Sequence, residues 1–313
     1  MDEDERKEIK KRAVRAVVEK SESGAPAVGS TVRDRFGTDE IYQRVVAYGD
    51  HEIAEGSRAL VFSGVAAGFA ITLTFLLYAS LHGAFDGAPV LSQLLYPLGF
   101  VYIILGGYQL YTENTLPPVT LVLERLASLP ALLRVFVLVL VGNFVGAGLG
   151  AVVLAYTGVF TPEAADAAVF IGETGVETAW WDLFFKALFA GLIVAGVVWM
   201  DFSAGDTVTR FLLIYMAFLA IPVAGLYHVV VSFTELLYLG LVTDYSVAVG
   251  LWEFLTPVLL GNTLGGILLV TVVNYFQTTE ERLEDIRETD DGVLTWREWL
   301  LGGFAGRSYL PPK

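Results

Sequence analysis

The sequence predicts an all-α membrane protein of six transmembrane helices, arranged as two inverted three-helix repeats whose second and fifth helices are broken. Three observations lead there. Hydrophobic residues make up 55% of the 313 and mean hydropathy is +0.59, which is not a soluble balance. Six apolar stretches follow one another, near 59–79, 94–123, 132–156, 183–202, 211–240 and 250–276, each able to supply a crossing of about 20 residues. The second and fifth are interrupted by residues that membrane spans usually exclude.

Taken in order, residues 1–57 form a charged arm, with Ser21 to Ser30 (SESGAPAVGS) reading as a linker between two helical patterns. The arm has no apolar core, so it is neither a cleavable signal nor a transit peptide. In its second pattern Ile41, Tyr42, Val45, Val46 and Tyr48 recur at helical spacing among Asp39, Glu40 and Arg44. Such a helix lies on the bilayer surface or packs on protein. Residues 58–278 hold the six spans, and 279–313 form a polar tail.

The second stretch is broken at Thr112, Glu113, Asn114, Pro117 and Pro118, and the fifth contains Pro222, Gly225, His228 and Glu235. Interrupted segments at corresponding places in two halves point to a transport site between inverted repeats. At an offset of 119, GNFVG at 142–146 falls on GNTLG at 261–265, and Gly106-Gly-Tyr-Gln109 falls on Gly225-Leu-Tyr-His228. Three crossings per half reverse the direction of the second half.

Lysine and arginine orient the chain. The segments 80–97, 157–182 and 240–253 contain none, whereas residues 1–58 contain eleven and 277–313 contain five. Both termini are therefore expected in the cytoplasm of a cell-membrane protein. Lys186, just inside the fourth span, either snorkels outward or lines a vestibule.

His228 stands within a span, beside a helix break. It is a candidate for proton exchange with a permeating weak acid or for hydrogen bonding an anion; the other reading is a neutral histidine bridging helices. Glu113 and Glu235 are candidate proton relays or cation ligands, or face water or cap a half-helix. Asn143 and Asn262 suit helix packing among their glycines better than solute binding.

Enzyme chemistry finds no support. There are no cysteines, His51-Glu52 lacks the second histidine of a zinc protease, and neither a Gly-x-Ser-x-Gly elbow nor a Walker loop occurs. No cofactor or metal is expected. The formal charge of −14 argues against nucleic acid and fits a salty cytoplasm or an ordinary acidic protein.

The segments GGYQLYTENTL (106–116), LVGNFVGAGLG (140–150), AGLIVAGVVWM (190–200), AGLYHVVVSF (224–233) and TPVLLGNTLGG (256–266) together resemble the formate/nitrite transporter family over roughly 58–278. The resemblance implies a homopentamer in the lipid bilayer with one pore per subunit, passing small monovalent anions or their weak acids. It implies that His228 is the central pore histidine and Thr112 the threonine of the gating loop. Phe100, Leu110 and Ile221 match constriction positions, and Tyr96 and Tyr111 match aromatic positions along the path. Against the family pattern, Tyr227 replaces a glutamate, Ser232 an asparagine, Gly175 a lysine and Gly191 an asparagine. These departures keep two rivals open: a neutral-solute channel, and a non-conducting module that binds a partner through its acidic arm.

Overall fold

A computed structural model describes residues 36–278 and 293–302; the linker at 21–30 and most of the tail lie outside the described residues. Within them, regular structure is entirely helical. Helix α1 (Thr38–Ala54) opens with Asp39 and Glu40, which favour the positive end of the helix, and Glu40 accepts the Gly37 N–H at 2.6 Å. Helix α2 (Ser57–Ala84) and a 3₁₀ turn (Leu91–Gln93) lead to α3 (Leu98–Gly106). Another 3₁₀ turn (Glu113–Thr115) precedes α4 (Pro117–Leu123), which starts on the two prolines where no N–H is needed.

Helix α5 (Leu129–Tyr156) is capped by Ser128, and α6 (Pro162–Glu177) by Thr161. Helix α7 (Trp180–Ser203) is followed by α8 (Thr207–Val223), where Asp206 accepts two N–H groups of the first turn. Helices α9 (Val229–Val242), α10 (Val247–Gln277) and α11 (Trp296–Leu301) complete the described residues. Within α10, Leu251–Leu255 and Ile267–Val272 are π-helical.

Among the described residues, four helices, α2, α5, α7 and α10, are long and apolar enough to cross a membrane. The second and fifth apolar stretches are each divided into two shorter helices, as the sequence predicts. The most extensive helix pairs are α2 with α5 and α7 with α10, one in each half. Both rest on backbone contact: a Cβ on Gly68 would lie 1.9 Å from the Asn143 carbonyl, and one on Gly265 would lie 2.0 Å from that of Leu188. Membrane helices pack this way because apolar side chains gain little by leaving lipid, while close backbones gain van der Waals contact.

Helix α1 packs its apolar stripe on protein, one of the two readings its pattern allowed. Ile41, Tyr42, Val45, Val46 and Ile53 are buried, and the helix packs on α4 and, less extensively, on α7. Tyr42 donates to the Glu124 carboxylate at 2.7 Å, and Arg44 donates to the Phe202 carbonyl at 3.2 Å. An apolar stripe binds whatever apolar surface lies nearest, and here the broken second span supplies it. Helix α11 closes the same end, where the Trp299 indole donates to the Val122 carbonyl at 2.7 Å.

Candidate functional site

The two breaks are built alike. Helix α3 ends on Gly107 (φ 69°) and α8 on Gly225 (φ 63°), both in the left-handed region that terminates helices and suits glycine. The extended backbone that follows is held each time by a buried asparagine. Asn143 accepts the Tyr111 N–H at 2.9 Å and donates to the carbonyls of Gln109 and Gly64, both at 2.9 Å. Asn262 accepts the Val229 N–H at 2.8 Å and donates to the carbonyls of Tyr227 at 3.0 Å and Ala187 at 2.7 Å. Backbone groups freed from a helix inside a membrane need such partners, because no lipid can supply them.

The equivalent pairs correct the single offset read from the sequence. Gly107 and Gly225, and Tyr111 and Val229, are 118 apart, while Asn143 and Asn262 are 119 apart. The residue equivalent to His228 is therefore Leu110, not Gln109.

His228 stands at the start of α9 and is 1% exposed. Its Nε2 lies 2.8 Å from the Thr112 hydroxyl, so the loop of the first break touches the histidine of the second. Its Nδ1 is buried without a partner among the described residues. The Phe100 ring meets the imidazole edge-on at 4.9 Å between centroids and stacks on Phe218 at 3.9 Å. Phe218 was missed in the sequence. It precedes Ile221 by about one helical turn, but an aromatic in an apolar span carries no distinguishing pattern.

On the side of the α2 C-terminus and α6, His228 borders a cavity of about 140 Å³. Tyr78, Tyr96, Thr174, Tyr227, Ser232 and Glu235 contribute to its walls. Glu235 is 5% exposed and makes no hydrogen bond among the described residues, and the Ser232 hydroxyl is likewise buried without a partner. Lys186 does not point away: its Nζ stands 5.7 Å from the centroid of the Tyr227 ring.

Other expected residues sort differently. Leu110 and Ile221 are fully buried in the same core as Phe100 and Phe218. Tyr96 packs at 5.7 Å on Phe100, whereas Tyr111 turns to the Thr263 hydroxyl at 2.7 Å and the Phe136 ring. Among the described residues Glu113 caps no helix, and its Oε1 is buried without a partner. Asn114 donates to Glu52 Oε1 at 2.9 Å and to Gln109 Oε1 at 2.8 Å. Glu52 escaped the sequence reading, although it falls on the apolar stripe of α1, where a carboxylate was itself a signal.

The departures at two glycines are fixed by packing. A Cβ on Gly175 would lie 2.7 Å from the Phe254 ring, and one on Gly191 would lie 2.2 Å from the Asn262 carbonyl. Neither a lysine nor an asparagine fits there without moving its neighbours.

Paired broken helices clamped by asparagines around a threonine–histidine contact define a transport protein of the membrane, not an enzyme, and the family model described as "Formate/nitrite transporter" matches residues 39–276. The chain belongs to that family. It is 30% identical over 242 residues to "Inner membrane protein YfdC" of Escherichia coli (strain K12), covering 76% of this chain and 77% of that one. It is 26% identical to "Formate channel FocA" of Haemophilus influenzae (strain ATCC 51907 / DSM 11121 / KW20 / Rd), over 69% of this chain and 85% of that one. Among solved structures, an "FNT family ion channel" aligns with TM-score 0.65 at 20% identity over 77% of this chain and 99% of that one. A "Pentameric formate channel with formate bound" aligns with TM-score 0.62 at 19% identity, over 71% and 97%.

Proposed function

We propose that the protein is a channel or transporter for a small monovalent anion, or for its conjugate weak acid, with proton exchange at His228. The observation that carries this reading is the contact of His228 Nε2 with Thr112, directly against the Phe100–Phe218 stack. A charged anion crosses an apolar constriction poorly and a neutral acid crosses it better, so a titratable group beside the constriction is where protonation assists passage. Thr112 orients the imidazole. Glu113 and Glu235 are the carboxyl groups placed to supply or remove protons on its two sides, and Phe100, Leu110, Ile221, Tyr96 and Tyr111 shape the path. Formate and nitrite are the substrates to try first, since the similar proteins are named for them.

In this reading the chain makes six crossings, with α3–α4 and α8–α9 as the divided second and fifth. Both termini face the cytoplasm, because basic residues gather at that end. Five copies assemble, as in the pentameric structural neighbour. The test is flux into proteoliposomes at about pH 5.5 and about pH 7.5, which bracket histidine titration, for wild type and His228→Ala. Flux that rises with acidity and falls in the variant supports the reading. No flux of any small anion through folded wild-type protein defeats it.

A further inference from the structure

The end of the molecule that carries α1 holds a buried carboxyl group that the transport reading leaves unused. Glu52 is 3% exposed, and its Oε2 has no hydrogen-bond partner among the described residues. Its Oε1 accepts from Asn114, two residues beyond Thr112 in the same loop. Among the described residues, the groups around it offer no free cation. From α1 comes Tyr48, from the loop Glu113 and from the end of α7 Asp201, all within electrostatic reach of one another. The guanidinium of Arg210 is taken up by Asp201 at 2.7 and 2.8 Å. Arg134 donates to Ser57 and to the carbonyls of Ile53 and Glu55.

A buried carboxyl without a counter-charge keeps its proton. We propose that Glu52 is a second proton-exchange site of the pore, serving the permeant at the α1 end while His228 serves it at the centre. The proposal rests on the transport reading above. An anion arriving from the α1 end takes the Glu52 proton: the carboxyl O–H bond breaks, an O–H bond forms on the permeant, and the neutral acid moves on toward Thr112 and His228. The Glu52 carboxylate then regains a proton from water at that end, and movement in the other direction reverses both steps. Burial pushes Glu52 up to about 8, against the lowering effect of the neighbouring Gln109 and Asn114 side chains, which leaves it protonated and able to donate near neutral pH. Glu235 lines the cavity at the other end, and Glu52 stands with Glu113 at this one, so both sides of the His228–Phe100 junction carry carboxyl groups.

The experiment uses full-length protein in proteoliposomes of one orientation, with formate as permeant and the pH of one side varied while the other is held. Wild-type flux is expected to change roughly ten-fold over about two pH units on the α1 side, a modest share of what general acids contribute. Glu52→Gln flattens that dependence and keeps the dependence on the other side; Glu52→Asp restores it; Glu235→Gln shows the converse pattern. A Glu52→Gln profile parallel to wild type on both sides overturns the proposal and leaves the transport reading standing, whereas wild type without flux defeats the transport reading first. If Glu52→Gln fails to assemble, infrared titration decides: a protonated carboxyl band that titrates with α1-side pH in wild type and shifts in Glu52→Asp supports the site. An unshifted band overturns it.

Discussion

The two breaks share a skeleton and differ in what they carry. Each is ended by a left-handed glycine and clamped by one asparagine through three hydrogen bonds. The first continues into a 3₁₀ turn and places Glu113 and Asn114 against α1, while the second resumes its helix at once, with His228 at the start. Where the second has an imidazole, the first has Leu110. The frame is thus shared, and the chemistry is divided between halves, one supplying the histidine and the other the hydroxyl that meets it.

The most damaging test of that shared frame is loss of a clamp. Asn143→Leu and Asn262→Leu each orphan one N–H and one carbonyl of the broken backbone inside the membrane, and each is expected to lower stability by about 3 kcal/mol. Thermal unfolding in detergent checks this. Similar losses confirm that the halves are built alike, and tolerance of one substitution alone breaks the comparison.

The division of chemistry is sharpened by flux. His228→Ala is expected to reduce acid-driven flux roughly 100-fold, the low end of general acid–base contributions, whereas Leu110→Ala reduces it little or raises it by loosening the constriction. Phe218→Ala removes the ring stacked on Phe100 and is expected to raise flux at neutral pH, where the permeant is charged. Equal losses at His228 and Leu110 would contradict a division of roles.

Glu52 gives a stability test with a definite sign. Burial raises its pKa from 4.5 to about 8 in the folded protein, so between those values the folded chain keeps a proton that the unfolded chain has lost. Stability contributed by the neutral carboxyl is therefore lost as pH rises through that window. Glu52→Gln is expected to remove the slope, a gain of a few kcal/mol at most near pH 8, each pKa unit being worth about 1.4 kcal/mol. Melting temperatures of both proteins between about pH 5 and about pH 8 check it, and parallel curves count against the assignment. The smallest expected effect is Tyr42→Phe, which removes one hydrogen bond to Glu124 and costs about 1 kcal/mol in the docking of α1, read by hydrogen exchange in that helix.

What could be read from the residues alone follows from where polar groups stand out. Pro222, Gly225, His228, Asn143 and Asn262 are conspicuous in apolar surroundings, and all of them sit at the breaks. Phe218 and Leu110 are not conspicuous. In a membrane span the lipid face and the protein face are both apolar, so periodicity does not tell the pore from the outside. The docking of α1 was open for a related reason, since one apolar stripe serves a bilayer or a protein surface equally well. The lost lysine and asparagine positions became intelligible only with Phe254 against Gly175 and the Asn262 carbonyl against Gly191.

The π-helical turn at Leu251–Leu255 accounts for a discrepancy of register. From Tyr111 to the start of α5, and from Val229 to the start of α10, the chain runs 18 residues in both halves. From there Asn143 is 14 residues on, but Asn262 is 15. The second half holds one extra residue before its asparagine, and the wide turn absorbs it. Deleting a single residue within 251–255 would convert the turn to ordinary helix and leave Asn262 facing its backbone partners. The same deletion within 258–261, beyond the wide turn, would swing the asparagine by about 100° and open the clamp. Helix α10 is thus tolerant of a one-residue deletion at one place and intolerant a turn later.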